Sequence, residues 1–312
     1  MLNIGMVGCG SIAMSHISVI KENAAAKICA VCDNSPEKAT AAAAETGAIA
    51  FYDYKEMADA MPLDCVIISL PHALHAPCAK FFAARKINIF LEKPMEVSAQ
   101  ACREIIDACD KNGVALAIGH IQAYFSDNIA AKAIIDSGEY GDLIGMTETR
   151  NVLYFTETRP RWFLNKELSG GGILMNLGAH AVDKIKFFSG SSIKRAVGCA
   201  HTAAANTVDG AAMAFLKTDN GIAATINIGG YAATNEYKTM LYLAKGIITI
   251  ESGTVRVAGS DGVFHDVDTA EECAVKLQMD EFIARMISKD SPRIGGEYGL
   301  DVVNAIEMIY AE

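Results

Sequence analysis

Three short runs in this 312-residue sequence combine residue types that do chemistry. The first, Gly8-Cys9-Gly10-Ser11-Ile12-Ala13, has G-x-G-x-x-A spacing and directly follows the apolar run Leu2–Val7. Between a strand and a helix, its first glycine permits a tight turn and its second lets the backbone approach a pyrophosphate. The small third residue lets helix and strand pack closely. The helix would open with unpaired N–H groups at the positive end of its dipole, a setting that favours phosphate. Asp33 ends the next apolar run about 20 residues on, where a carboxylate accepts hydrogen bonds from ribose hydroxyls; taken alone it is also a good turn or helix-entry residue. A carboxylate there repels a 2′-phosphate, and Asn34 and Ser35 follow it rather than an arginine. The expected cofactor is therefore NAD, with NADP possible because Lys38 lies a helical turn further on. The expected contacts are Gly8, Gly10, Ser11, Ile12, Ala13, Asp33 and Asn34.

The second run is Glu92-Lys93-Pro94, placed after a short apolar run. Ligands of open α/β sheets bind at the carboxyl ends of strands. A lysine there can hydrogen-bond a substrate hydroxyl and lower its pKa, although a lone lysine in a turn is as readily a solvated charge. The third run extends from Gly170-Gly171-Gly172 to Asp183. If it is a helix opened by glycines, Asn176, His180 and Asp183 share one face at i, i+4 and i+7. Such a polar stripe in an apolar helix is either a site or a buried histidine satisfied by its neighbours. Arg159, Arg161 and Trp162 precede the glycines. They line a pocket, where an arginine would suit a carboxylate or phosphate, or they form a surface loop around one buried aromatic.

These runs need elements to hold them. Up to about residue 120, short β-like runs alternate with helical ones. Strands are expected at Leu2–Val7, Lys27–Cys32, Ala48–Phe51, Asp64–Ser69, Ile87–Leu91 and Val114–Ile118. Helices are expected at Ser11–Lys21, Pro36–Thr46, Tyr54–Ala60, Ala73–Arg85 and Ala99–Lys111. That alternation predicts a parallel sheet covered on both faces by helices. After about residue 140 the β-like runs lengthen: Leu143–Tyr154, Ile193–Ala203, Gly210–Leu216, Ile222–Gly229, Lys238–Leu243, Ile247–Ile250 and Thr254–Val257. Turn signals such as Asp219-Asn220-Gly221 imply antiparallel pairing. Helices near Glu271–Lys289 and Tyr298–Ala311 close the chain. The fold class is α/β, with a doubly wound Rossmann domain over residues 1–120 and an α+β domain over residues 121–312.

Taken together, the glycine turn, Leu70-Pro71-His72-Ala73-Leu74-His75, Glu92-Lys93-Pro94, Asp136–Leu143 and the Gly170–Asp183 run resemble the Gfo/Idh/MocA family, named for glucose–fructose oxidoreductase and inositol dehydrogenase. The resemblance runs in order over nearly the whole chain. It implies a C-terminal domain with a large, mostly antiparallel sheet whose open face makes an oligomer contact, a homodimer or homotetramer. It implies hydride transfer between nicotinamide and a secondary alcohol or ketone of a sugar, cyclitol or derivative. Lys93 and His180 inherit the catalytic pair, with Asn176 beside them. Ser69, Leu70, Pro71 and His75 match the segment along the cofactor, joined by Glu92, Lys93 and Pro94, and His120 matches a position near the nicotinamide. Lys93, Arg161, Trp162, Asn176 and His180 are the expected substrate contacts. Many members carry Asp where this chain has Asn176, and an amide supplies no charge to stabilise an imidazolium. Asp183 inherits a structural role.

Bulk properties narrow the partners. The formal net charge of -10 repels phosphate backbones, so nucleic acid is not an expected partner. No run reaches the roughly 18 apolar residues of a membrane span, so no membrane association is expected. Leu2–Val7 runs into a glycine turn without the order of an export leader. The nine cysteines are odd in number and irregular in spacing, which predicts reduced thiols and a cytoplasmic setting. Cys29 and Cys32 form a CxxC, but residues three apart on a strand point to opposite faces. No metal is expected. Two rival readings stay open: a dinucleotide-binding regulator of the same fold without turnover, and a metal-dependent hydrolase using His72 and His75, for which no third ligand is evident.

Overall fold

Local chemistry sets many of the element boundaries. The helix Pro36–Thr46 starts where the Ser35 side chain accepts the Lys38 N–H, carries Pro at its first position, and stops at Gly47 in the left-handed region. The structure, a computed structural model, describes residues 1–204 and 206–311. In chain order the elements are β1 (Leu2–Val7), α1 (Ser11–Ile20), β2 (Ala26–Cys32), α2 (Pro36–Thr46), β3 (Ile49–Phe51), α3 (Tyr54–Ala60), β4 (Cys65–Ile68), α4 (His75–Ala84), β5 (Asn88–Leu91), α5 (Ala99–Asn112), β6 (Leu116–Ile118), α6 (Ser126–Ser137), β7 (Leu143–Leu153), α7 (Lys166–Ser169), α8 (Ala179–Ser189), β8 (Ile193–His201), β9 (Ala211–Thr218), β10 (Ala223–Gly229), β11 (Tyr231–Leu243), β12 (Gly246–Glu251), β13 (Thr254–Ala258), β14 (His265–Val267), α9 (Ala274–Ser288) and α10 (Gly296–Tyr310). Among the described residues no helix is long and apolar enough to cross a membrane.

Two units form. The first comprises Met1–His120 and Cys273–Leu300. Its six strands are parallel in the order β3-β2-β1-β4-β5-β6. The order reverses beside β1, which pairs with both β2 and β4, and that is the switch point where such sheets bind ligands. Every residue of β4 is fully buried, as a strand covered on both faces must be. The return of residues 273–300 to this unit departs from the expected continuous second domain. The reason is the apolar face of α9. Met279, Phe282, Ile283 and Met286 share one core with Ile4, Met6, Ile17, Ile20 and Phe90, and Phe282 meets Phe90 edge-on at 5.3 Å between ring centroids.

The second unit comprises Ile121–Glu272 and the chain from Asp301 onward. Its eight strands run β14-β13-β12-β11-β7-β10-β9-β8, antiparallel except for β7 with β10. One face is buried through Ala212, Ala214, Leu216, Ala224, Ile226 and Ile228, and the alternate positions Met213 and Phe215 are exposed. Helix α6 and strand β14 had no counterpart in the sequence reading. The α6 run buries only Asn128 and Ala131, so its periodic apolar signal is weak.

Candidate active site

In the first unit, residues singled out by sequence sit just past the carboxyl ends of β1, β2, β4, β5 and β6. Gly8 has φ of +89°, and a Cβ on it would lie 2.3 Å from the Ser69 carbonyl oxygen. Internal packing therefore demands glycine there. Gly10 is different, because a Cβ on it would meet nothing within 4 Å. Gly10 precedes α1 without a side-chain cap, and the first turn of α1 holds no acidic residue. The first-turn N–H groups thus have no side-chain cap and no acidic residue in their own turn, and the space beside Gly10 is open, the condition for receiving an anion. Ala13 is fully buried, which keeps α1 close to the sheet, whereas Ser11 and Ile12 are exposed.

Asp33 braces this turn. Its carboxylate accepts the Cys9 N–H at 2.8 Å through Oδ2 and the Ser35 N–H at 2.8 Å through Oδ1. A carboxylate has about four acceptor positions, so positions remain for hydroxyl donors. Asn34 beside it is exposed. The Ser69 hydroxyl donates to the Gly8 carbonyl at 2.9 Å, tying the end of β4 to the glycine turn. Leu70 and Pro71 are half-buried. His75 is fully buried, with its ring nitrogens 2.9 Å from the Leu70 carbonyl and 3.2 Å from the Met95 carbonyl. Burial holds its pKa below the ordinary imidazole value. His75 therefore lies between the segment after β4 and the segment after β5, with a backbone carbonyl facing each ring nitrogen and its single N–H donated to one of them. Among the described residues no group of three or more His, Cys, Asp or Glu side chains is arranged to hold a metal ion.

Glu92 is buried with its Oε1 2.7 Å from His16 Nε2, and its Oε2 accepts the Lys93 N–H at 3.0 Å. Burial pushes this carboxyl up, but the His16 hydrogen bond, the His16 charge and Lys93 outweigh it, and it lies below the usual carboxylate range. The result is a buried anion joining α1, which carries the glycine turn, to the half-buried Lys93. Sequence reading did not single out His16. Its signal was a polar residue on the apolar face of α1, in line with Ala13, Ile17 and Ile20. Gly119 completes the arrangement, since a Cβ there would lie 3.0 Å from the Glu92 carboxylate. The Lys93-Pro94 peptide is cis and Pro94 is buried. His120 is fully buried beside Tyr298, and its carbonyl accepts the Gln278 amide at 2.8 Å.

In the second unit, the three glycines have separate causes. Gly170 ends α7 at φ of +77°. A Cβ on Gly171 would lie 2.2 Å from the Tyr310 hydroxyl, and one on Gly172 would lie 1.9 Å from the Asp209 carbonyl oxygen. The Asp209 carboxylate accepts the Gly172 N–H at 2.7 Å, the Leu174 N–H at 2.9 Å and the Tyr310 hydroxyl at 2.7 Å. This buried anion fixes the start of the helical run and was missed by sequence reading, because Asp209 lies far from the glycines in the chain. The run itself opens as a π-helical turn, Leu174–Gly178, before α8, so the uniform α spacing of the expected stripe does not hold. Asn176 is buried with its amide 3.5 Å from the Tyr154 hydroxyl. His180 is half-buried. Asp183 is fully buried and accepts the Gln122 N–H at 3.1 Å. Next to it, buried Lys184 reaches the Thr239 hydroxyl at 2.9 Å and Glu148 at 3.4 Å, holding α8 to β7 and β11. Arg161 is exposed, and Trp162 stacks on Phe163 at 3.7 Å.

Two family models match most of the chain. Residues 2–120 match the model of the GFO_IDH_MocA oxidoreductase family, described as an NAD-binding Rossmann fold. Residues 129–265 match the GFO/IDH/MocA C-terminal domain. The chain is 28% identical over 281 residues to an uncharacterised oxidoreductase of Streptococcus pneumoniae, covering 87% of this chain and 76% of that one. It is 27% identical over 241 residues to 1-carboxy-3-chloro-3,4-dihydroxycyclo hexa-1,5-diene dehydrogenase of Comamonas testosteroni, covering 77% and 60%. The fold also matches the crystal structure of aldose-aldose oxidoreductase from Caulobacter crescentus complexed with glycerol, with a TM-score of 0.89 at 21% identity over 98% of this chain and 95% of that one.

Proposed function

This chain belongs to the Gfo/Idh/MocA oxidoreductase family, and on that basis we propose that it moves a hydride between nicotinamide and the carbinol or carbonyl carbon of a sugar, cyclitol or close derivative. It is an NAD(P)-dependent dehydrogenase or reductase acting on CH–OH groups. The observation that carries the reading is the open space over Gly10 at an uncapped helix start, with the Asp33 carboxylate bracing the same turn. Those residues fit a dinucleotide. The amides at the start of α1 would hold the pyrophosphate and Asp33 the adenosine ribose, which favours NAD over NADP. Ser69, Leu70 and Pro71 would border the coenzyme, with His75 supporting them from below.

When bound, the nicotinamide accepts or supplies the hydride. We assign His180 the hydroxyl proton, taken during oxidation and returned during reduction, and Lys93 a hydrogen bond to substrate oxygen. Imidazole suits the proton transfer because its reference pKa lies near neutrality. Asn176 orients the substrate or His180 through its amide, with Arg161 and Trp162 bordering the substrate. The test is a panel of sugars, cyclitols and sugar acids offered with NAD and NADP, followed by nicotinamide absorbance. Turnover of a member with NAD preferred supports the reading; tight NAD binding with no reduction by any member would favour a regulator instead.

The same reading extends to assembly and location. Met213, Phe215 and Tyr242 are exposed at alternate positions on the open face of the sheet, and we read this face as the contact of a homodimer or homotetramer. Sedimentation of Phe215→Glu against wild type tests it, with dissociation as the expected result. Free cysteines throughout, six of them buried, suit a reducing cytoplasm.

A further inference from the structure

We propose that Arg159 is the anion-binding residue of the substrate site and that the substrate is a sugar or cyclitol carrying a carboxylate. The inference rests on the oxidoreductase reading above and narrows its substrate class. Four arginines are half-buried: Arg150, Arg159, Arg256 and Arg285. Arg150 bonds Glu148 at 2.8 Å, Arg285 bonds Glu281 at 2.6 Å, and Arg256 lies 3.8 Å from Glu251. Arg159 alone has no carboxylate partner among the described residues. Withdrawing a guanidinium from water without a counter-charge is costly, so such a group is a standing site for an anion.

The group is also held in place. Its carbon lies 3.7 Å above the centre of the Tyr154 ring and 5.3 Å from that of Phe163, and its Nε donates to the Tyr154 carbonyl. The face and the Nε are thus occupied, and the two terminal nitrogens are left as a fork whose orientation is fixed before any ligand arrives. Tyr154 is fully buried and burial raises its phenol pKa, so the phenol stays neutral and supplies no counter-charge. The hydroxyl of that same ring meets Asn176, which places the fork one aromatic ring from the candidate helix. A single fork balances one negative charge, which matches a carboxylate. A phosphate dianion would leave a charge uncompensated.

The test pairs sugar acids with their neutral counterparts and with the corresponding sugar monophosphates, for example D-glucuronate, D-glucose and a glucose phosphate, extended to gluconate and galacturonate sets. Each is offered with NAD and read both as nicotinamide reduction and as thermal stabilisation of the wild-type protein. The expected result is an acid preferred over its neutral partner by about 30-fold or more, mainly in KM, the lower end for one partner of a desolvated charge pair. Arg159→Gln should bring the acid-to-neutral ratio close to one, and Arg159→Lys should recover part of it by keeping the charge without the fork. A neutral sugar or a phosphate as the best substrate, or an unchanged ratio in Arg159→Gln, overturns the assignment while the hydride reading stands. Acids that stabilise the protein through Arg159 yet reduce no NAD would instead sink the hydride reading and keep the anion site. No Arg159-dependent effect of any acid in either readout overturns the site.

Discussion

Two glycine-rich turns open helical runs in this molecule, and they mean opposite things. At Gly171-Gly172 the space that side chains would fill is already taken by Tyr310 and Asp209. At Gly10 a Cβ would have no neighbour within 4 Å among the described residues. The first turn is closed on itself through the Asp209 carboxylate, and the second leaves the space beside Gly10 open. A glycine cluster before a helix is therefore no indicator of a ligand until its neighbours are known. The decisive feature is whether the protein's own atoms account for the missing Cβ.

The sharpest contrast lies beyond the turns, in the groups assigned to chemistry. Lys93→Ala and His180→Ala should each lower turnover about 10²–10⁴-fold, the usual loss for a proton-transfer group. NADH affinity, which the proposed function assigns to the Gly8–Ala13 turn, should remain. Unchanged steady-state rates in both variants would remove these residues from the mechanism. Next in size is the closed turn. Gly172→Ala drives a methyl into backbone and should cost about 3 kcal/mol, the upper end of ordinary single substitutions, read as a lower midpoint in denaturant. Asp209→Asn keeps the shape but removes the charge that three donors share, at about 2 kcal/mol. If Gly172→Ala melts like wild type, the closed turn is not closed. Gly10→Ala should change folding stability by less than about 1 kcal/mol, since its methyl meets only open space.

The smallest effect is in pH. His75 is held neutral by burial, whereas in the unfolded chain it takes up a proton below about pH 6.5. The unfolded state then binds more protons, so stability falls as pH drops through that value. Glu92, held below the usual carboxylate range despite its burial, adds stability that is present above about pH 4.3 and lost as the pH falls toward its folded value. The opening free energy of the β4 and β5 amides, taken from hydrogen exchange after correction for the intrinsic pH dependence of exchange, should fall on acidification, first through the His75 range and then through the Glu92 range. An opening free energy that is flat from neutrality to pH 5 would contradict the His75 account.

Much of the first unit was legible because its signals are local. A turn, a strand end and an acidic residue at a set distance fix β1, α1 and β2 almost to the residue. The place of Glu92-Lys93-Pro94 just after β5 was legible for the same reason. What escaped depends on distance in the chain. His16 and Glu92 are 76 residues apart, and Asp209 and Tyr310 are 101 apart. No periodicity announces such pairs, and each reads locally as an ordinary polar residue. The return of α9 to the first core was hidden likewise, since an apolar stripe suits any core. The π-helical turn at Leu174–Gly178 has no counterpart in an α-helical period. Arg159 could be told from Arg161 only by seeing which one Tyr154 and Phe163 hold.

The account stands most directly on what fills the space over Gly10. A fluorescence titration of NADH into the wild-type protein and into Gly10→Val, each checked by its melting curve, measures this. The expected result is saturable binding to wild type, and affinity at least about tenfold weaker, or 1.4 kcal/mol, in a Gly10→Val protein that melts normally. Equal affinity in the two proteins, or no binding to wild type, would contradict it.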